Sequence, residues 1–512
     1  MSLARRMASN FAAQGFALAA SLADRVLVVG AMLRNWGSAD FSDYMVLQAW
    51  AAMLFVAELG AQLYFQNAEQ AAYAAGDKAA FARLVAIHSG VMATLCLALA
   101  VVLAALAAAG GLDSLFSGNA LGPGAARAAF ACMVGANLLT LLRTPATTAY
   151  TAAGDFSRII VIGALALLAQ SAVSAAAVVL GAGPLAVAGI VLGIGGIAAF
   201  AFVAYDVRAR HGEWLAKPAW PTPSEARTAA RHIKWYSLQI IAPAAWLQAP
   251  VLILKAGQAS GATIASFLLL RTLVGMVRQV FQFAATGAGI EIAPYTHRGE
   301  IAQAWRMSAR IGLWTTGLAA AATAGVLSFG EVVVRDWTGN AALYVAPLAL
   351  ALMAPLLATA PLQQPFALLQ FANVSAPPGV QRLLQIALTP TLCALGLWLC
   401  GALGLASGLA LAEILAFWSM APILARLPSF PGFLRYGAES VMVGILVFAV
   451  DIALGLGLNW LAPSTTLVIE GAKVALWGLI GVAPFAFIGL PPSLRASLLN
   501  RVATWRGARR SA

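Results

Sequence analysis

The chain reads as an all-α integral membrane protein of about 14 transmembrane helices, in two parallel-repeat six-helix lobes plus a C-terminal helix pair. Three observations predict this. Hydrophobic residues make up 61% of the 512 positions and charged residues only 10%, so no water-soluble fold accommodates them. The apolar runs are about 20 residues long, the length that crosses a ~30 Å hydrocarbon core. They are continuous rather than alternating, which selects helices over barrel strands.

In chain order the spans fall near 10–33, 42–66, 84–110, 125–150, 158–181, 184–205, 233–256, 263–294, 308–330, 341–372, 380–401, 404–425, 437–462 and 469–490. The first follows Arg5 and Arg6 in the manner of a signal peptide. It is longer than a signal core, carries Gln14, Asp24 and Arg25, and has no small-residue cleavage site after it, so it is read as the first helix. Cys96, Cys132, Cys393 and Cys400 all lie inside spans, which leaves no disulfide framework or zinc spacing. His88, His211, His232 and His297 are scattered, so no metal and no cofactor are expected.

Charge orients the spans. About twenty of the 31 Lys and Arg fall on the side that holds both termini, whereas the other side has Arg34, Arg127 and Arg335, with Lys255 at its edge. That bias puts both termini in the cytoplasm, and the alanine-rich, arginine-over-lysine usage fits a bacterium, so the expected location of this multi-pass chain is a bacterial inner membrane. It also accounts for most of the +12 net charge without a nucleic-acid partner.

An internal repeat supports the two lobes. Tyr73, Gly76, Asp77, Phe81 and Arg83 follow the second span, and Tyr295, Gly299, Glu300, Trp305 and Arg306 follow the eighth in the same order. A weaker echo joins Gly154-Asp155-Phe156-Ser157 to Ala372-Asn373-Val374-Ser375. Both offsets are about 220 residues, or six helices, and an even number keeps the halves parallel. The expected organisation is an N-lobe over 1–205, a basic cytoplasmic linker over 206–232, a C-lobe over 233–425, extra helices over 426–490 and a basic tail over 491–512.

Several stretches resemble the lipid-linked oligosaccharide flippases of the multidrug/oligosaccharidyl-lipid/polysaccharide (MOP) exporter superfamily. Asp40-Phe41-Ser42-Asp43-Tyr44 is similar to that family's Phe-Gly-x-Tyr, with Ser42 in place of glycine. Ala57-Glu58-Leu59-Gly60 is similar to its Asp-Leu-Gly, with Glu58 in place of aspartate. Pro294 to Ile311 resembles its loop after the eighth helix, and Val334-Arg335-Asp336-Trp337-Thr338-Gly339 resembles its Leu-Trp-Leu-Gly stretch. The resemblance implies a transporter, not an enzyme. It implies flipping of an undecaprenyl-pyrophosphate-linked oligosaccharide to the periplasmic leaflet by alternating access, for surface polysaccharide or lipopolysaccharide biosynthesis. The partners are then the polyprenyl-pyrophosphate-linked glycan, membrane lipid and polysaccharide polymerase machinery. The alternatives are a cation-coupled drug or metabolite antiporter of the same superfamily and a polytopic polysaccharide polymerase or glycosyltransferase. Short outer loops with few acidic residues speak against the enzyme.

Ionisable groups deep in spans mark the site, because an unpaired charge there costs about 2.5–3.5 kcal/mol on insertion scales. Arg271 and Arg278 are two turns apart on one helical face, and Arg25 and Arg271 each lie about 12 Å in from the periplasmic side. Guanidinium forks bind phosphate oxygens bidentately, so Arg25, Arg271 and Arg278 are the expected pyrophosphate ligands. Asp24 and Glu58 are the expected counter-charges or ion-coupling groups. Asp451 and Lys473 are expected to pair in the last hairpin, while Glu413 has no evident partner. Trp235, Trp246 and Trp314 could stack on sugar faces, but are read as interfacial anchors. Pro243 and Pro250 in the seventh span, and Pro355, Pro361 and Pro365 in the tenth, remove backbone donors and mark those helices as kinked gating elements.

Overall fold

Helix follows helix because the chain offers lipid an apolar surface and must bond its own backbone. The computed structural model describes residues 3–112, 120–212, 218–297, 300–371, 376–426, 430, 432–462 and 467–482. No strand occurs among them. The basic tail and the second copies of the repeat glycine and of its weaker echo lie outside the described residues.

The N-terminal half holds α1 (Leu3–Asp24), a π-helical segment (Arg25–Val29), α2 (Gly30–Ala52), a 3-10 segment (Met53–Glu58), α3 (Ala61–Ala74), α4 (Lys78–Ala108), α5 (Pro123–Ala152), α6 (Phe156–Val179), α7 (Pro184–Ile190), a second π-helical segment (Val191–Ala198) and α8 (Ala199–Arg210). The C-terminal half holds α9 (Pro223–Ala256), α10 (Gly261–His297), α11 (Ile301–Thr338), α12 (Ala346–Phe371), α13 (Ala376–Trp418) and α14 (Ala421–Arg426). After these come α15 (Phe433–Leu461), α16 (Leu467–Trp477) and a short π-helical stretch (Gly478–Val482). Eleven helices are long and apolar enough to cross a membrane among the described residues. Two of them are folded within: Ala12–Glu58, at Gly37, spans most of the first predicted span and the first part of the second, and Pro378–Arg426, at Cys400–Gly401, holds the eleventh and twelfth. The outer surface is apolar, with Trp398 and Trp460 about four-fifths exposed (80% and 81%), as lipid-facing side chains should be.

The repeat loops close alike. Asp77, Asp155 and Glu300 each donate a backbone N–H to the carbonyl five residues back (Ala72, Tyr150 and Tyr295), at 3.1, 3.0 and 2.9 Å. In the first two a glycine, Gly76 or Gly154, takes the positive φ that the turn requires. This shared helix stop is the physical content of the recurring Gly-acid pair.

Burial differs at the two ends of the bundle. At the end opposite the start of α1, one continuous apolar core joins both halves: Val29, Phe41 and Leu47 pack with Leu254, Phe267, Leu270 and Met353. Polar contacts reinforce it. Lys255 Nζ meets Asp43 at 2.9 Å, Arg34 Nε donates to the Trp337 carbonyl at 3.0 Å, and Trp337 Nε1 donates to the Val26 carbonyl at 2.7 Å. At the end that carries the start of α1 the core is divided. Ile292, Trp305, Phe366 and Tyr436 form one cluster in the C-terminal half, while Phe81 with Tyr150, and Phe65 with Met92, form two in the N-terminal half. The halves are fused at one end and merely touch at the other.

That touch uses an interruption in the second predicted span, which the sequence presents as continuous. Leu59 and Gly60 are left-handed (φ 51° and 80°), and Glu58 accepts the Gln62 N–H at 2.8 Å to start α3. A Cβ at Gly60 would lie 2.5 Å from the Tyr236 backbone, so glycine lets α9 approach here. Asn67 Nδ2 also donates to the Tyr236 hydroxyl at 2.8 Å. The segment leading into α9 is fastened to the N-terminal half as well. Ala219 N–H donates to the Ala86 carbonyl at 2.9 Å, and the Arg83 guanidinium holds Glu225 bidentately at 2.8 and 2.9 Å.

Backbone departures from helix fall at Leu59–Gly60 and at the turns Gly37 and Cys400–Gly401, whereas α9 and α12 run helical through their prolines. One vacated acceptor is refilled: Pro365 has no N–H to give the Pro361 carbonyl, and the Tyr436 hydroxyl of α15 donates to it at 2.7 Å. One expectation, in the last hairpin, is corrected. Lys473 bonds Glu470 at 2.7 Å and Asn459 at 3.2 Å instead of Asp451, because a partner one turn away on the same helix is nearer than one across it. Among the described residues, both Asp451 carboxylate oxygens are buried without a hydrogen bond.

Candidate functional site

A cavity of about 850 Å³ lies between the halves, walled by α1, α2, α6, α7, α9, α10, α11, α12, α13 and the two π-helical segments. Its polar character follows from register. On α10, Arg271, Gly275, Arg278 and Gln279 recur at three- and four-residue spacing, so one face of an otherwise apolar helix turns polar residues toward the void. On α13, Gln381, Gln385 and Thr389 form a stripe at four-residue spacing, nearly or fully buried, and Arg382 stands beside it.

Arg25 reaches the cavity from the point where α1 widens into the Arg25–Val29 π-helical segment, a local feature frequent at functional sites. Its guanidinium sits against Gly275, where a Cβ would lie 2.7 Å from Nη1. Glycine at 275 therefore seats the third arginine between the two that α10 supplies. Asp24, next in the chain, accepts the Ser171 hydroxyl at 2.6 Å. Trp246 lies under two cations, with the Arg278 guanidinium 4.6 Å and that of Arg271 5.7 Å from its ring. This corrects its reading as an interfacial anchor: it is a wall of the cavity.

Glu413 of α13 is fully buried and has a partner after all. Its carboxylate receives Arg278 Nη1 at 2.5 Å and Nη2 at 3.1 Å, a two-pronged pair. Arg382 is a fourth cation, donating to Gln239 at 3.2 Å and to Gln385 at 3.0 Å. One Arg271 nitrogen is buried with no hydrogen bond, as are both amide atoms of Gln364. Among the described lining residues four guanidiniums (Arg25, Arg271, Arg278 and Arg382) face two carboxylates (Asp24 and Glu413). Such a chamber attracts a multiply charged anion and offers it forked donors.

The structure brings Asp24, Arg25, Arg271 and Arg278 together in this cavity. It places Glu58 elsewhere, as the cap of α3, so the counter-charge on Arg278 is Glu413. Of the proline positions, Pro243 lines the wall, and the others stand along α9 and α12 away from the lining. The sequence reading missed Arg382, counted with the terminal-side loop charges. The stripe Gln381, Gln385 and Thr389, set in an apolar run, was the available signal that this part of the helix faces inward.

No protein-family model matches the chain, and no curated protein matches it in sequence. Solved structures do match in fold. The inward-closed lipid II flippase MurJ aligns with a TM-score of 0.64 at 11% identity, over 93% of this chain and 98% of that one. An inward-facing multidrug resistance transporter of the MATE family and MOP superfamily gives 0.62 at 15% identity, over 83% and 94%. An outward-facing MATE transporter gives 0.53 at 16% identity, over 87% and 95%. The chain thus has the fold shared by MATE transporters and the MurJ flippase, with its charged cavity where the two halves meet.

Proposed function

We propose that the protein flips a polyprenyl-pyrophosphate-linked oligosaccharide from the cytoplasmic to the periplasmic leaflet of a bacterial inner membrane, with both termini cytoplasmic. The observation that carries this reading is the excess of guanidinium over carboxylate in a cavity of about 850 Å³ between the halves. Arg25, Arg271 and Arg278, joined by Arg382, hold the pyrophosphate, and Trp246 beneath two of them keeps the planar groups spread for forked contact. The moving bodies are an N-lobe over 1–205 and a C-lobe over 233–425, joined by the basic linker 206–232 and backed by the helices of 426–490. Rocking opens the fused end and closes the divided one. The glycine approach at Gly60 and Tyr236 serves as the thin contact on the closing side. No chemical step is needed, since the lipid-linked glycan leaves as it entered.

A cation-coupled antiporter has specific support in the likeness to MATE transporters and in the two cavity carboxylates. The four arginines weigh against it, because a cationic drug meets like charge.

The test is the leaflet position of undecaprenyl-pyrophosphate-linked glycan in cells depleted of the protein, read with a probe that labels only periplasmic sugar. Full-length lipid-linked units accumulate on the cytoplasmic side. Wild type restores them to the periplasm, whereas Arg271→Ala and Arg278→Ala insert normally and do not. Normal transport by both variants would falsify the assignment. Units that reach the periplasm but stay unpolymerised would move the protein to a later, enzymatic step.

A further inference from the structure

We infer that Glu413 occupies, in the substrate-free protein, the place on Arg278 that the anionic headgroup takes, and that headgroup binding drives Glu413 off the guanidinium in its protonated form. The inference rests on the reading of the cavity as an anion site and adds to it an internal competitor and a coupled proton.

The geometry is that of a stand-in. A carboxylate gripping two guanidinium nitrogens presents two oxygens in the fork that a phosphate fills, and Arg278 has its Nη1 and Nη2 engaged this way at 2.5 and 3.1 Å. The pair lines the void itself, with 16% of the Arg278 side chain exposed and Glu413 behind it. The remaining Arg278 nitrogen, Nε, is buried without a partner, so the guanidinium is held by Glu413 and by the face of Trp246.

Charge decides what happens next. Arg278 pairs with Glu413 and Arg382 of its own helix acts on it, and the other charged residues lining the same cavity are Arg271 from α10, Asp24 from α1 and Arg25 from the π-helical segment after it. The residues that α9 and α12 contribute to this wall are uncharged: Pro243, Trp246 and Leu247 from α9, Gln363 and Gln364 among those of α12. A pyrophosphate that takes both prongs of Arg278 brings at least two negative charges beside a carboxylate with 1% of its side chain exposed. A buried anion that loses its cation is strongly destabilised, and taking a proton from cavity water removes the charge. Gln364, whose amide atoms are both buried and unbonded on the same wall, offers a neutral donor to the incoming oxygens. On release the steps reverse. Glu413 gives up its proton, regains Arg278, and so competes the headgroup out of a site that would otherwise hold it too firmly to turn over.

The test uses purified full-length protein in lipid nanodiscs, with inorganic pyrophosphate as the probe, titrated calorimetrically near neutral pH in two buffers of unlike ionisation enthalpy. Wild type takes up about one more proton per pyrophosphate than Glu413→Gln does. Glu413→Gln binds pyrophosphate about tenfold tighter, the competitor being gone. Glu413→Asp keeps the proton and guards against a variant that fails to fold. Equal or weaker binding by Glu413→Gln, or unchanged proton uptake, overturns the inference. If that happens while Arg271→Ala still weakens pyrophosphate binding, the anion-site reading stands and only the role of Glu413 falls. If no form binds pyrophosphate and the protein takes up a hydrophobic cation instead, both fall together.

Discussion

Two buried carboxylates are each held by a cation, yet they belong to different kinds of structure. Glu470 meets Lys473 at 2.7 Å within α16, three residues away, and Lys473 is bonded further to Asn459. Glu413 meets Arg278 at 2.5 Å from a helix 135 residues distant in the chain, and the pair faces a void. The first is local and closed. The second joins two helices where a ligand can reach it. Burial and pairing alone do not separate a structural pin from a working site; what separates them is whether an open space adjoins the pair and whether its neighbours carry surplus charge of one sign.

The comparison breaks most readily on the pin. Lys473→Ala strands the buried Glu470 and costs about 3–5 kcal/mol in unfolding. Transport per folded molecule stays at the wild-type level, measured as flipping normalised to protein that survives a thermal challenge. Arg278→Ala shows the reverse, with flipping lost and a smaller loss of stability, because Glu413 adjoins the cavity and can take a proton from its water, which Glu470 in its closed setting cannot. A Lys473 variant that folds normally but does not transport would erase the distinction.

A smaller effect sharpens it. Replacing both partners, Glu470→Leu with Lys473→Met, regains most of what the single change loses, since an apolar pair needs no compensation in that setting. Thermal unfolding of the single and double variants reads this directly. The corresponding double replacement at Arg278 and Glu413 leaves the protein folded and unable to flip.

The smallest effect comes from a third pair, at the surface. Arg83 and Glu225 are solvent-exposed, and Arg83, followed by the Thr222 cap, holds the Glu225 carboxyl well below its ordinary range, at about 2. A depressed carboxyl contributes stability that is present above its unfolded value and lost as pH falls through the folded one. The difference in unfolding temperature between wild type and Glu225→Gln therefore stays small and constant from neutrality to about pH 4.5, then fades toward pH 2. A difference that grows with acidification would show that the pair does not bind in solution.

Much of the membrane fold was legible because length and hydropathy dictate it. The spans at 84–110, 125–150 and 158–181 lie almost wholly within α4, α5 and α6. The recurring Gly-acid pair was legible because it encodes a helix stop. Arg271 and Arg278 were visible as charges two turns apart on one face. Glu413 was visible as a charge without its partner, because no spacing rule connects residues on helices four apart in the predicted order. Arg382 was hidden by its closeness to a span end, where a cation ordinarily faces headgroups. The Leu59–Gly60 interruption was hidden because its flanks are apolar enough to pass for one continuous span, and only the approach of Tyr236 reveals why the helix stops there.

The hydroxyl of Tyr436 has a mechanical meaning. It lies against Gly312 of α11, where a Cβ would collide with it, and donates to the carbonyl that Pro365 leaves open on α12. A helix normally satisfies its backbone by itself and is free to turn about its own axis as a cylinder. At Pro361 this one borrows its missing bond from α15, through a side chain lodged in a notch of α11. Rotating α12 alone would strand a buried carbonyl, so α11, α12 and α15 are geared together. In the proposed rocking, the helix beyond the twelfth predicted span would ride with the C-terminal half and carry along the lipid on its outer face.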